Sequence, residues 1–304
     1  MVIVFWCVAL CFYSTSFAAY SALLPDQVEE NRRGTVSGLV GLFNPLGILF
    51  GMMVLTALNN LSLTMKFGAV AGASVLGALI ASILIKDEPI DQYKTSEKKS
   101  GKIYPSLRAY PAFTWAFLTR FLVCTAFASQ VYATLFFMQK FNISQEQVTG
   151  IATLNSLIQT IGLGFSATVG GMLSDKFRKQ KPFISVAAVL VAVGVFTIAV
   201  APSLPIVFIG TAILGIGYGS YIAVDMGLIA RILPNKKDAA KDLGIMNIAG
   251  QLPQSLVPVI ANPLITAGGF TLFYSILAFA GLLGVAAVVP IPEVPKESEQ
   301  EKTT

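Results

Sequence analysis

Two ionisable residues sit in surroundings that oppose their charge. Arg120 lies nine residues into the apolar run Ala112–Met138, and Asp225 lies about five residues from the end of another, Pro205–Ala230. A charge at membrane depth costs roughly 2.5–3.5 kcal/mol on insertion scales, so such groups face a bundle interior or a water-filled cavity. Two readings of Arg120 stand. Its side chain snorkels to an interface ~13 Å away at the helical rise, or it holds a solute or an ion-pair partner. Asp225 is either a structural partner for Arg120 or for a loop cation, or a carboxylate that takes up a proton as the cavity changes access. By elimination it is the best candidate for proton coupling.

Uncharged polar residues fall into stripes. Asn155, Gln159, Gly162 and Ser166 recur at i, i+4, i+7, i+11, and Asn247, Gln251, Gln254 and Pro258 repeat that spacing. Tyr218, Tyr221 and Asp225 fall at i, i+3, i+7. Each set occupies one helical face. Amides and phenols face lipid only at a cost, so these faces point inward, either to bond between helices or to line a wet path for a solute. The candidate pathway residues are therefore Arg120, Asn155, Gln159, Tyr218, Tyr221, Asp225, Asn247, Gln251 and Gln254.

Other chemistries are excluded. The chain has no histidine, which removes histidine bases and histidine-built zinc sites. Its three cysteines, Cys7, Cys11 and Cys124, lie inside apolar runs without disulfide or metal spacing. No nucleophile–base pair is visible, so an enzyme is not expected, nor is a cofactor. Gly215-Ile-Gly217-Tyr-Gly219 has no preceding strand and reads as close helix packing rather than a phosphate loop. A channel is disfavoured for want of a filter sequence.

The elements that must position these residues are nine apolar segments: Val2–Leu24, Gly34–Leu58, Phe67–Ile85, Ala112–Met138, Val148–Leu173, Pro182–Val200, Pro205–Ala230, Leu243–Thr266 and Phe270–Val289. Each has 19 to 27 residues, and a helix needs roughly 20 to cross a bilayer core. The composition agrees: 55% hydrophobic and 12% charged residues, with a mean hydropathy of +0.72. No water-soluble fold hides that much apolar surface. Of 21 Lys and Arg residues, 18 fall in loops 25–33, 86–111, 174–181, 231–242 and the C-terminal tail; Lys66 and Lys140 fall in the opposite set. The positive-inside rule places the first set, with the C-terminus, in the cytoplasm. The net charge of +5 is thus spread over short loops, not gathered on a face for nucleic acid.

The stretches after the first and seventh segments read alike. LLPDQVEENRRGTVSGLVGLFNPLG and ILPNKKDAAKDLGIMNIAGQLPQSL each leave a span at Leu-Pro and re-enter one carrying a later proline. Pro25 corresponds to Pro234 and Pro45 to Pro253, so the first three segments correspond to the last three as a parallel repeat. Prolines 253, 258 and 263 are expected to break the eighth segment repeatedly.

GGMLSDKFRKQKP at Gly170–Pro182 resembles a loop motif of the major facilitator superfamily, Gly-x-x-x-Asp-Arg/Lys-x-Gly-Arg/Lys-Arg/Lys. Gly171, Asp175, Lys176 and Lys179 fit it, whereas Arg178 replaces the usual glycine and Gln180 interrupts the basic run. KDLGIMNIAGQLPQS at Lys241–Ser255 and TWAFLTRFL at Thr114–Leu122 resemble a bacterial branch with some likeness to sugar permeases.

The resemblance implies an all-α, polytopic membrane helical bundle whose nine transmembrane helices are equivalent to helices 4–12 of a twelve-helix transporter. Residues 1–85 would form three helices of the N-terminal half, lacking its first three. Residues 86–111 would form the cytoplasmic central loop, 112–292 a complete C-terminal half, and 293–304 a charged cytoplasmic tail. Asp175 and the cations after it would act as a gate. They also read, on their own, as a basic stop that fixes topology.

The expected function is alternating-access transport of a small solute across a bacterial plasma membrane, ion-coupled as symport or antiport. The solute would be a sugar, a drug or an organic anion, and protons are a candidate coupling ion. Membrane lipid is the surrounding partner; no nucleic acid and no obligate protein partner are expected. The alternative is a truncated, non-transporting membrane protein.

Overall fold

The structure is a computed structural model. It describes residues 61–84, 110–177, 180–232 and 239–291, with single positions between 8 and 58. The chain divides into two compact units, Met1–Ile48 and Leu49–Thr304. In the first, described positions such as Val8, Phe12 and Phe43 are helical and exposed.

All regular structure among the described residues of the second unit is helical. The helices are α1 (Leu63–Leu84), α2 (Pro111–Phe127), α3 (Ala133–Lys140), α4 (Gln145–Phe177), α5 (Lys181–Val200), α6 (Leu204–Ile232) and α7 (Ala239–Val288). A 3-10 turn, Ala128–Tyr132, joins α2 to α3 within one membrane-length span, Pro111–Lys140. Among the described residues, six helices are long and apolar enough to cross a membrane. The third to ninth apolar segments all fall on helical stretches, the fourth across α2 and α3 and the eighth and ninth both on α7. Most of the first two, and most of the loop 86–111, lie outside the described residues.

Local chemistry sets the helix ends. Pro111 and Pro182 open α2 and α5, where their missing N–H groups cost nothing and their φ is already helical. Asn142 turns the chain before α4 with φ 53°, a left-handed conformation that asparagine tolerates better than most residues. The eighth and ninth segments are two arms of α7. Its prolines do not break it: Pro253, Pro258 and Pro263 stay within helical backbone, and the departure comes at Gly268 and Gly269. A proline frees only one carbonyl, which neighbours in a membrane bundle re-satisfy. Gly269, at φ 67°, takes up a conformation that a Cβ would oppose.

Helix α6 packs between α4 on one flank and α5 on the other, while α7 packs along both α2 and α5. Alternating glycines in α6 make this possible. A Cβ on Gly215 would stand 2.5 Å from the Gln159 carbonyl oxygen of α4, and one on Gly217 would stand 2.6 Å from the Val191 nitrogen of α5. Side chains this small let helix backbones approach where lipid gives no hydrophobic drive. On α5, Gly194 and Gly210 of α6 repeat the notch, each facing backbone of the other helix. Helix α1 is exposed along the whole of its apolar window.

Candidate functional site

The two charges meet. Arg120 of α2 donates from Nη1 to Oδ2 of Asp225 of α6 over 2.9 Å. Tyr221 donates to the other carboxylate oxygen, Oδ1, at 2.9 Å. Its position one turn before Asp225 on the same helix allows this bond. Both carboxylate oxygens thus accept from fixed donors, and the charge-assisted bonds are the stronger kind. Of the two readings of Arg120, the geometry realises the ion pair. Its side chain is 16% exposed and that of Asp225 4%, so the guanidinium stands at the open side and the carboxylate behind it.

An aromatic and thiol layer lies one turn further along the same seam. Tyr218 stacks on Phe127, with ring centroids 3.6 Å apart and planes 9° from parallel, and its hydroxyl is 3.7 Å from Cys124 Sγ. Tyr218 and Tyr221 are themselves near parallel, 6.3 Å apart. In the sequence Cys124 reads only as a cysteine without disulfide or metal spacing, and Phe127 as one more apolar residue of its span. Yet Arg120, Cys124 and Phe127 fall at i, i+4, i+7, the same face of α2, and they oppose Tyr218, Tyr221 and Asp225 on α6. A search for paired stripes, rather than for polar ones, finds them.

The amide stripes part company. Asn155 is buried between helices, and its Oδ1 accepts from Thr211 Oγ1 of α6 at 2.8 Å. Gln159 Nε2 is buried with no hydrogen-bond partner among the described residues, and Ser166 donates to the Leu163 carbonyl. This stripe forms the α4–α6 seam. By contrast Asn247, Gln251 and Gln254 of α7 are exposed. Gly250, on the same helix, lies beside the ion pair: a Cβ on it would stand 3.2 Å from Arg120 Nε. Gly250 is the notch that receives the guanidinium. Asn247 and Gln254, three residues before it and four after, share its helical face.

The sequence model of the Major Facilitator Superfamily matches residues 1–158 and 116–304. The chain belongs to this family.

Among solved structures, the chain is similar to a bacterial homologue of the human lysosomal transporter Spinster, crystallised in an inward-facing, unoccupied conformation. Identity is 18%, the match covers 88% of this chain and 70% of that one, and the TM-score is 0.49. No curated protein matches. As a major facilitator the chain is a multi-pass membrane transporter of a solute, and its family is one of transporters, not enzymes.

In this transporter, Gly171, Asp175 and Lys176 belong to the last turns of α4, but their side chains, and all of Lys179, lie outside the described residues. Asp242, by contrast, is described: it is buried in the first turn of α7, where a carboxylate meets the positive end of the helix dipole. Among the described residues no cluster of His, Cys, Asp or Glu could hold a metal ion.

Proposed function

We propose that this transporter moves a small solute by ion-coupled alternating access, with Asp225 as the proton-carrying carboxylate. The observation that carries the reading is the Arg120–Asp225 contact of 2.9 Å within the spans, with Tyr221 on the second oxygen. A buried ion pair adds little to stability that apolar packing would not add, so its presence in a bundle this apolar points to use. A proton on Asp225 weakens the contact with Arg120 and loosens α2 from α6, which couples protonation to movement. Arg120, Tyr218, Tyr221, Asn247, Gln251 and Gln254 line the pathway for a sugar, a drug or an organic anion. Asn155 and Gln159 hold α4 to α6 beside it. Gly171, Asp175, Lys176 and Lys179 gate the opposite conformer from the cytoplasmic side. The membrane is the plasma membrane of a bacterial cell, and the C-terminus lies in the cytoplasm, the side that the split of loop charges favours.

The test is counterflow in proteoliposomes against sugar, drug and organic-anion panels, followed by an imposed proton gradient. Wild-type chain accumulates solute down the proton gradient, and Asp225→Asn exchanges solute but does not accumulate it. Undiminished proton-driven accumulation by Asp225→Asn removes Asp225 from the coupling step.

A further inference from the structure

The first arm of α7 presents a wall of uncharged polar side chains. We infer that the transported solute is a neutral polyhydroxyl compound, of the sugar or sugar-alcohol kind, passed along the amides of this wall. The inference rests on the reading of α7 as a side of the solute pathway.

The polar stripe runs further than its first three amides. Asn262 extends Asn247, Gln251 and Gln254, with Ser255 and Thr266 beside them, and all six are exposed. At 3.6 residues per turn they fall within about a third of the helix circumference. From Asn247 to Thr266 the stripe rises about 28 Å, close to the roughly 30 Å of a hydrocarbon core. Thr266 returns its hydroxyl to the Asn262 carbonyl at 2.8 Å. The four amide side chains have no hydrogen-bond partner among the described residues. Such groups face lipid only at a cost, and each holds two donors and an acceptor ready for another molecule.

Charge is not what this wall offers. More than a turn from any helix end, the charged residues described are Arg120 and Asp225. They hold each other at 2.9 Å, and Tyr221 takes the second carboxylate oxygen. The stripe passes this pair at Gly250, where a Cβ would stand 3.2 Å from Arg120 Nε, and it adds no charge there. An ionic solute would travel along α7 without a counter-charge, which apolar surroundings oppose. The rings beside the pair are also engaged. Phe127 and Tyr218 are pressed face to face at 3.6 Å, and Tyr221 is buried. A flat aromatic solute would have to part them before it could stack. A hydroxyl both donates and accepts, so a neutral solute with several hydroxyls answers the amides in turn and brings no charge into the bundle.

The experiment is counterflow with the full chain in proteoliposomes. Sucrose, glucose and mannitol are the neutral probes. Gluconate carries similar hydroxyls with a charge, and ethidium is a flat aromatic cation. At least one neutral probe is expected to exchange, with gluconate and ethidium weaker competitors by about tenfold or more. Gln251→Leu and Gln254→Leu each remove one amide and should raise KM for that neutral solute about three- to tenfold. Their melting temperatures in detergent should match wild type, because the lost amides bond no described residue.

An unchanged KM in both variants overturns the amide wall as the binding surface. Exchange of gluconate or ethidium in preference to all three neutral probes overturns the solute class and leaves alternating-access transport standing. Exchange of none of the five probes also overturns the solute class. Transport itself fails only if the wider sugar, drug and organic-anion panels show no exchange either.

Discussion

One helix, α6, meets its neighbours in two unlike ways. Toward α4 and α5 it presents Gly210, Gly215, Gly217 and Gly219, and backbone lies against backbone. Toward α2 it presents Tyr218, Tyr221 and Asp225, and contact runs through long polar and aromatic side chains. The glycine flanks have no alternative arrangement, because a close-packed backbone seam either fits or opens. The α2 flank has one. In the proposed cycle its bonds are broken by a proton and made again without displacing backbone. The difference assigns the scaffold to α4–α6–α5 and the changeable part to α2 and the arm of α7 beside it.

The largest expected effect comes from breaking the charged flank on one side only. Arg120→Gln leaves Asp225 buried without its cation and should cost about 3–5 kcal/mol. The double variant R120Q/D225N removes both charges and should recover most of that loss. Thermal melting of the purified variants in detergent gives the comparison. Equal melting of the single and double variants would mean that the pair is not coupled, and the contrast between flanks fails.

Tyr221→Phe comes next. It removes the hydroxyl that donates to Asp225 Oδ1 and leaves a buried charged acceptor short of one bond, at about 1.5–3 kcal/mol. It should also move the pH dependence of proton-driven uptake toward alkaline values, because the hydrogen bond favours the ionised carboxylate and its loss favours the proton. A pH profile unchanged from wild type would assign Tyr221 to packing alone.

The glycine flank should respond in the opposite manner: in stability without a change in coupling. Gly215→Ala puts a Cβ against the Gln159 carbonyl, and backbone on both sides resists movement, so about 1–3 kcal/mol should be lost. The proton stoichiometry of whatever folded protein remains should equal that of wild type. A changed stoichiometry would show that the scaffold and the changeable flank are not separable.

How far the sequence carries depends on how local the cause is. Span positions follow from hydropathy alone, so the third to ninth segments coincide with helices. The partner of Arg120 also follows once depth is considered, since a buried charge needs an opposite one and Asp225 is the in-span acid. The two amide stripes were beyond reach. Both have spacing i, i+4, i+7, yet one lies in the α4–α6 seam and the other is exposed on α7. Spacing fixes a shared face, and only the neighbouring helix decides what that face meets. The prolines of α7 mislead for a related reason. A proline removes a bond locally, but whether the helix bends or breaks depends on what re-satisfies the freed carbonyl, and Gly268–Gly269 is where no Cβ holds the backbone in register.

The smallest expected effect tests whether charge matters anywhere on the scaffold side. Lys140 is one of two loop cations on the minority side of the membrane, so topology gives it no purpose. Its ammonium donates to the Ala199 carbonyl, at the C-terminal end of α5, over 3.1 Å, and sits 5.1 Å from the centre of the Phe136 ring. Thr271 donates to the same carbonyl at 3.2 Å. The cation therefore meets both the negative end of the α5 dipole and an aromatic face, each worth about 0.3–1 kcal/mol at an accessible site. Lys140→Met keeps the apolar stem and removes the charge. With Thr271 still on the carbonyl, the loss should stay near 1 kcal/mol, below that of Gly215→Ala, and should shrink further in high salt. A Lys140→Met loss as large as that of Arg120→Gln would place a second essential charge on the close-packed side, and the division between a backbone-built scaffold and a charge-built site would no longer hold.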